Sequence, residues 1–164
     1  MKAIVYTSNT GYTARYAKML SEKTNLPFLT FAEAKDHLSK GDEIIFMGWL
    51  RAGSVVGFGK ASKLYNVRAL CGVGLGTTGM QMENVRKMCR ISEDFPLFTL
   101  QGGMDMARLR GINRFMIKML IKMLQSKKRT ADEDAMLELI LKGGDYVSED
   151  NLGAVIKWFD SVKR

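Results

Sequence analysis

Lys2-Ala3-Ile4-Val5-Tyr6-Thr7 runs directly into Ser8-Asn9-Thr10-Gly11-Tyr12-Thr13, and that junction decides the fold. The first six residues read as a buried parallel strand. From about 11 to 24 the period changes, with Tyr12, Tyr16, Met19 and Leu20 at helical spacing. A strand that enters a helix through a polar, glycine-bearing turn favours an anion at the turn. The first helical N–H groups have no partner within the helix, and the macrodipole adds partial positive charge there. Ser8, Asn9, Thr10 and Thr13 add hydroxyl and amide donors, and Gly11 allows a close backbone approach. The turn holds no lysine, so it is not a Walker A loop. Hydroxyls and backbone amides suit a terminal phosphomonoester; the competing reading is an ordinary capped helix start.

Outward from this junction the same alternation continues. Strands are expected at 27–31, 43–49, 68–75 and 95–100, and helices at 59–65, 80–91 and about 150–163, the last started by Ser148 or Asp150. Residues 51–59 are glycine-rich and read as a loop. Alternating strands and helices call for right-handed crossovers and a parallel sheet. The expectation is an α/β three-layer sandwich with a five-stranded parallel sheet in the order 2-1-3-4-5 and the site at the carboxyl ends of the strands. Residues 102–144 are too long for an ordinary connection. They read as an inserted helical pair, about 108–125 and 131–142, the second opened by a Thr130-x-x-Glu133 capping box. Residues 1–164 are thus read as one domain with a basic helical insertion after strand five.

Composition narrows the function classes. Apolar residues make up 46% and charged residues 26% of 164, which suits a globular domain with a full core. Cys71 and Cys89 form no Cys-x-x-Cys pair and read as small core residues in a reducing cytoplasm. His37 has no ligand-type neighbours at useful spacing, so no metal is expected. The chain runs from Met1 into a strand without a signal-like stretch, and it has no run of 18 apolar residues. A cytoplasmic protein is expected. The net charge is +8, and residues 108–129 carry eight basic side chains and no acidic one; outside them 17 basic residues face 17 acidic. Those basic residues interleave with aliphatics rather than stacking aromatics, so nucleic acid is not the expected partner. No nucleophile–base pair or paired carboxylates point to hydrolysis.

Ser8-x-Thr10-Gly11-x-Thr13 resembles the flavodoxin signature Thr/Ser-x-Thr-Gly-x-Thr, with Tyr12 where many members carry asparagine. The resemblance implies flavin mononucleotide (FMN) as cofactor, with Ser8 to Thr13 around its phosphate. It also implies that Gly48, Trp49, Leu50, Arg51, Ala52 and Gly53, after strand three, cover one face of the flavin ring. Trp49 or Leu50 supplies the wall on this reading; a core role for Trp49 is the alternative. Arg51 stands where many flavodoxins place acidic residues, and a cation there favours the reduced ring. Gly53 suits a backbone rearrangement on reduction. Leu75, Gly76, Thr77, Thr78, Gly79 and Met80 are implied to pass the pyrimidine edge, without the tyrosine that often stacks in that loop. Gly74-x-Gly76-x-x-Gly79 is also a literal dinucleotide fingerprint. That reading wants a carboxylate about 20 residues on, where Thr99-Leu100-Gln101 has none.

In 108–125, Arg110, Arg114, Lys118 and Lys122 recur every fourth residue amid nearly continuous apolar side chains. The apolar arc is too wide for one core-facing side. Three readings stand: burial by the second inserted helix as well as the sheet, a membrane interface with basic side chains at anionic headgroups, or docking of a partner or second copy. Arg114-Phe115-Met116-Ile117-Lys118 resembles a stretch in the flavodoxin-like, quinone-linked protoporphyrinogen dehydrogenases of bacteria. That subgroup implies an FMN-dependent oxidoreductase whose insertion helps bind a flat tetrapyrrole and meets the inner face of the membrane to reach quinone. The alternatives are a soluble shuttle serving a redox partner protein, and a binding module without redox activity. Shuttles of this fold are ordinarily acidic, which sets the net charge of +8 against that role.

Overall fold

The strand-forming runs carry apolar residues on both sides, and both sides are covered. The computed structural model describes residues 1–163. The main sheet has six strands: β1 (Ala3–Tyr6), β2 (Phe28–Thr30), β3 (Glu43–Arg51), β4 (Ser54–Val55), β5 (Asn66–Gly74) and β6 (Leu97–Gln101). Five are parallel in the order β2-β1-β3-β5-β6, and β4 pairs antiparallel with β3. This corrects the expected five-strand sheet and its 2-1-3-4-5 numbering. The cause is local: β3 continues to Arg51 and turns back through Ala52 and Gly53 instead of opening into a loop. Both turn residues have positive φ, 48° and 81°, as a two-residue type I′ hairpin requires.

Ala52 sits in this left-handed conformation at a cost that a glycine would avoid. Ala52→Gly is therefore expected to stabilise the protein by roughly 0.5–1 kcal/mol, the relief of strain exceeding the added chain entropy. A urea titration reads this as a higher midpoint at unchanged slope. An unchanged or lowered midpoint contradicts the strain.

Successive strand residues alternate between two cores. Ile4, Ile45, Met47, Ala69, Cys71 and Leu100 face α1 (Tyr12–Thr24) and a C-terminal helix. Ala3, Val5, Ile44, Phe46, Leu70 and Leu97 face the opposite layer. That layer holds a short α2 (Ala34–His37), α3 (Phe58–Leu64) and α4 (Met82–Cys89). The result is the three-layer sandwich. Burial pushes the Cys71 thiol up to about 12, so it behaves as a core side chain.

The insertion is α5 (Gly111–Gln125) and α6 (Ala131–Lys142). Residues 108–110, expected as helix, are not helical: Arg110 is extended, and α5 begins at Gly111. The capping box forms as expected, Thr130 Oγ1 accepting from Glu133 N–H while Glu133 Oε2 accepts from Thr130 N–H. At the base, β7 (Gly103–Met104) and β8 (Gly144–Asp145) pair antiparallel, a clasp two residues long that hydrophobic periodicity does not signal. The chain then makes a 3-10 turn, Glu149–Leu152, with Ser148 Oγ accepting from Asp150 N–H, before α7 (Gly153–Val162) completes the α1 face.

Candidate functional site

β1, β3 and β5 end at the same edge of the sheet, and a cavity of about 400 Å³ opens there. That size lies within the ordinary range of small-molecule sites. Asn9, Thr10, Tyr12 and Thr13 line one end of it, and Leu75 and Gly76 line it after β5. Trp49, Leu50 and Arg51 at the end of β3, with Ala52 and Gly53 of the turn that follows, line it as well. The cavity continues beneath the insertion, against Leu109, Asn113, Met116, Ile117, Leu120 and Met136.

The turn at 8–13 is held open from within. Gly11 N–H donates to Ser8 Oγ at 3.2 Å, and Gly11 takes φ 96°, a conformation glycine adopts freely. Among the described residues no side chain caps α1, and no acidic residue stands in its first turn. The leading N–H groups therefore keep their capacity for an anion. Thr13 is buried at the floor, 1% exposed. Tyr12 packs on the insertion's base: a Cβ on Gly103 would stand 2.7 Å from its Cε1. Burial raises the Tyr12 hydroxyl above its ordinary pKa, with Asp145 and Asp105 adding to the effect, so the phenol stays neutral.

The hairpin of β3 and β4 forms a wall. Trp49 is half-buried, belongs to neither main core and carries the Arg51 guanidinium 5.5 Å from its ring centroid. Leu50 packs onto the backbone of Gly72 and Gly74; a Cβ on either would come within 2.9 Å of it. Gly48 lies behind the hairpin, where a Cβ would meet Val55 Cγ1 at 2.6 Å. Gly53 is backed by α4, with Asn84 Nδ2 2.5 Å from its virtual Cβ.

The loop after β5 divides. Its first half, Leu75 and Gly76, faces the cavity, whereas the second half is tied to neighbouring chain. Thr78 Oγ1 donates to Asn151 Oδ1 at 2.8 Å and accepts from Gln101 N–H at 3.0 Å. Asn151 Nδ2 in turn donates to the Tyr16 hydroxyl, which donates to Gln101 O. Thr77 Oγ1 lies 2.8 Å from Met80 Sδ, Gly79 N–H donates to Thr99 O, and Met80 O accepts from Thr99 Oγ1. Ser8, Gly11, Gly48 and Thr77 to Met80 thus lie behind or beside the cavity lining rather than in it.

Several lining residues are not among those singled out from the sequence: Gly102, Gly103, Leu109, Asn113, Gln81 and Met136. Gly102-Gly103 directly after a strand was the available signal of a close approach. Asn113 is the most informative: it lines the cavity, and its Oδ1 is buried without a hydrogen-bond partner among the described residues.

α5 divides into three sectors. Ile117, Leu120, Ile121 and Leu124 turn inward, and Arg114, Lys118 and Lys122 are exposed. Ile112, Phe115, Met119 and Met123 are also exposed, at 63%, 59%, 53% and 52%. Burial on all sides, one of the three sequence readings, is not what the fold provides: α6 covers only the inward sector. Lys127 and Arg129 pair with Glu133 and Asp134 inside the insertion. Arg110, Arg114, Lys118 and Lys122 make no ion pair with a described residue. Among the described residues, no helix is long and apolar enough to cross a membrane.

A doubly covered parallel sheet, a phosphate-type turn after β1 and a cavity at the ends of β3 and β5 define the flavodoxin-like class. A family model for the flavodoxin domain matches residues 3–131, and the chain belongs to that family. The family typically binds FMN and serves electron transport. No curated protein and no solved structure matches the chain.

Proposed function

We propose that this chain holds FMN in the cavity and works as an FMN-dependent oxidoreductase of the quinone-linked protoporphyrinogen dehydrogenase type. The observation that carries the proposal is the continuity of the cavity: it joins the turn at 8–13 to the two strand ends and runs on beneath α5. The donor set fits the group. Ser8 through Thr13 and the uncapped start of α1 receive the phosphate, with Ser8 and Gly11 holding the turn's shape. Trp49 to Gly53 wall the ring, and Gly48 seats that wall. Leu75 and Gly76 offer backbone to the ring edge, while Thr77, Thr78, Gly79 and Met80 fix the loop that carries them. Arg51 brings positive charge to the wall and disfavours loss of electrons from a reduced ring. Bound FMN supplies one- and two-electron transfer.

Beneath α5 the walls are Leu109, Met116, Ile117, Leu120 and Met136. They suit a flat apolar reductant or a quinone, methionine packing adaptably against either. The outward apolar sector of α5 and its flanking stripe, Arg110, Arg114, Lys118 and Lys122, suit an anionic lipid surface at the inner face of the membrane. Such contact places the cavity near a membrane-borne quinone. A soluble shuttle to a redox partner protein is the second reading, and the exposed basic stripe favours it only for an acidic partner.

The test is the visible spectrum of the purified chain, repeated after heat release. A yellow protein releasing the mononucleotide is expected, followed by quinone-dependent oxidation of protoporphyrinogen. A colourless protein that also refuses added FMN rejects the proposal at its root. Flavin without turnover leaves the shuttle.

A further inference from the structure

We infer that Arg108 is a phosphate-binding residue contributed by the insertion, so that the phosphate of the bound mononucleotide fastens the base of the insertion to the turn at 8–13. The inference rests on the FMN reading above and deepens it. The turn holds no cation of its own. Arg15, one turn into α1, is engaged by Asp145, whose carboxyl burial tends to raise but the Arg15 guanidinium and the Val147 N–H hold below the ordinary range. Arg108 reaches the turn from the other side. Its Nη1 donates to Thr10 O at 3.2 Å and lies 3.8 Å from where a Cβ on Gly11 would stand.

The guanidinium is aimed rather than loose. Asp105 Oδ2 holds Arg108 Nε at 3.0 Å. The backbone between them is set by Arg108 N–H to Asp105 O at 3.1 Å and Ala107 N–H to Asp105 Oδ1 at 2.9 Å. A guanidinium has five donors in a planar fork, so others remain for a phosphate beside the turn. A phosphomonoester carries between one and two negative charges near neutrality, which favours such a charge-assisted pair.

The next residue, Leu109, is 6% exposed and lines the cavity. Within two positions the chain therefore sets a cation at the phosphate end and an apolar wall at the other end. Phosphate on Arg108 holds Leu109 and the start of α5 down over the cavity. A flavin lacking phosphate fills the ring site without closing this latch.

The experiment measures dissociation constants for FMN and riboflavin on the full chain, the Arg108→Gln variant and the Arg108→Lys variant, at low and high salt. Arg108→Gln is expected to weaken FMN about tenfold while riboflavin changes by less than about twofold. Arg108→Lys restores part of the preference, and the preference falls with salt more steeply in the wild type than in Arg108→Gln. Proteolysis supplies a second readout: FMN, but not riboflavin, protects residues 103–144 in the wild type, and Arg108→Gln loses that protection. The side chain is 62% exposed, so the variants keep their fold, checked by thermal midpoint. Equal losses for both flavins, or no loss for either, overturn the inference and leave the FMN reading intact. Wild-type protein that binds neither flavin overturns both.

Discussion

Full-length protein carrying Gly11→Asp is expected to purify without FMN and to bind added FMN at least about a hundredfold more weakly than the wild type. Two effects combine. Gly11 has φ 96°, so any side chain there is strained, and a Cβ at this position stands 3.8 Å from Arg108 Nη1. An aspartate carboxylate would reach the guanidinium and occupy the place reserved for the phosphate, then repel the phosphate itself. Strain of about 1–2 kcal/mol lies below the usual 5–15 kcal/mol of domain stability, so the protein remains folded. Gly11→Ala supplies the strain without the charge and should weaken FMN by no more than about tenfold. Flavin fluorescence quenching gives both constants. Retention of wild-type FMN affinity by Gly11→Asp excludes the turn as the phosphate site.

The second large effect concerns the outer side of α5. Wild-type protein should pellet with vesicles of equal parts phosphatidylcholine and phosphatidylglycerol and much less with phosphatidylcholine alone. Arg114→Glu, Lys118→Glu and Lys122→Glu together should abolish pelleting. Each basic residue near an anionic leaflet contributes about 1 kcal/mol, so losing three weakens binding about a hundredfold before the added repulsion. The three residues are exposed, and the core sector of α5 is untouched. Phe115→Ser with Met119→Ser separates insertion of apolar side chains from surface charge: it should lower binding while keeping its salt dependence. A helix of 15 residues spans about 22 Å, less than the hydrocarbon core of about 30 Å, so α5 lies along the surface and does not cross it. Wild-type protein that ignores anionic vesicles but elutes as a dimer moves this face to contact between copies.

How much of this was legible in the sequence follows from the range of each signal. The turn at Ser8–Thr13 was legible because strand period, glycine and helix period meet within a few residues. The capping box at Thr130 and Glu133 was legible for the same reason, since both partners lie within one helical turn. The hairpin at Arg51–Ser54 was not, because Ala-Gly is a weak type I′ signal, with a non-glycine residue at the first left-handed position. β7 and β8 escaped because two residues cannot display a period. Trp49 was ambiguous between core and wall, as burial depends on what the hairpin leaves open beside it. The sequence showed α5 as too apolar for one face, but which residues turned inward depended on α6 and the cavity. Arg108 and Asn113 were hidden by distance: they meet the turn and the cavity only after the insertion folds back.

That folding back has a geometric corollary. Gly103 pairs with Asp145 and Met104 with Gly144, so the chain leaves the sandwich and returns to it at adjacent points. Adjacent feet let the insertion change length at its far end while the strand pairing stays as it is, whereas its removal would uncover Tyr12, Leu75 and the cavity.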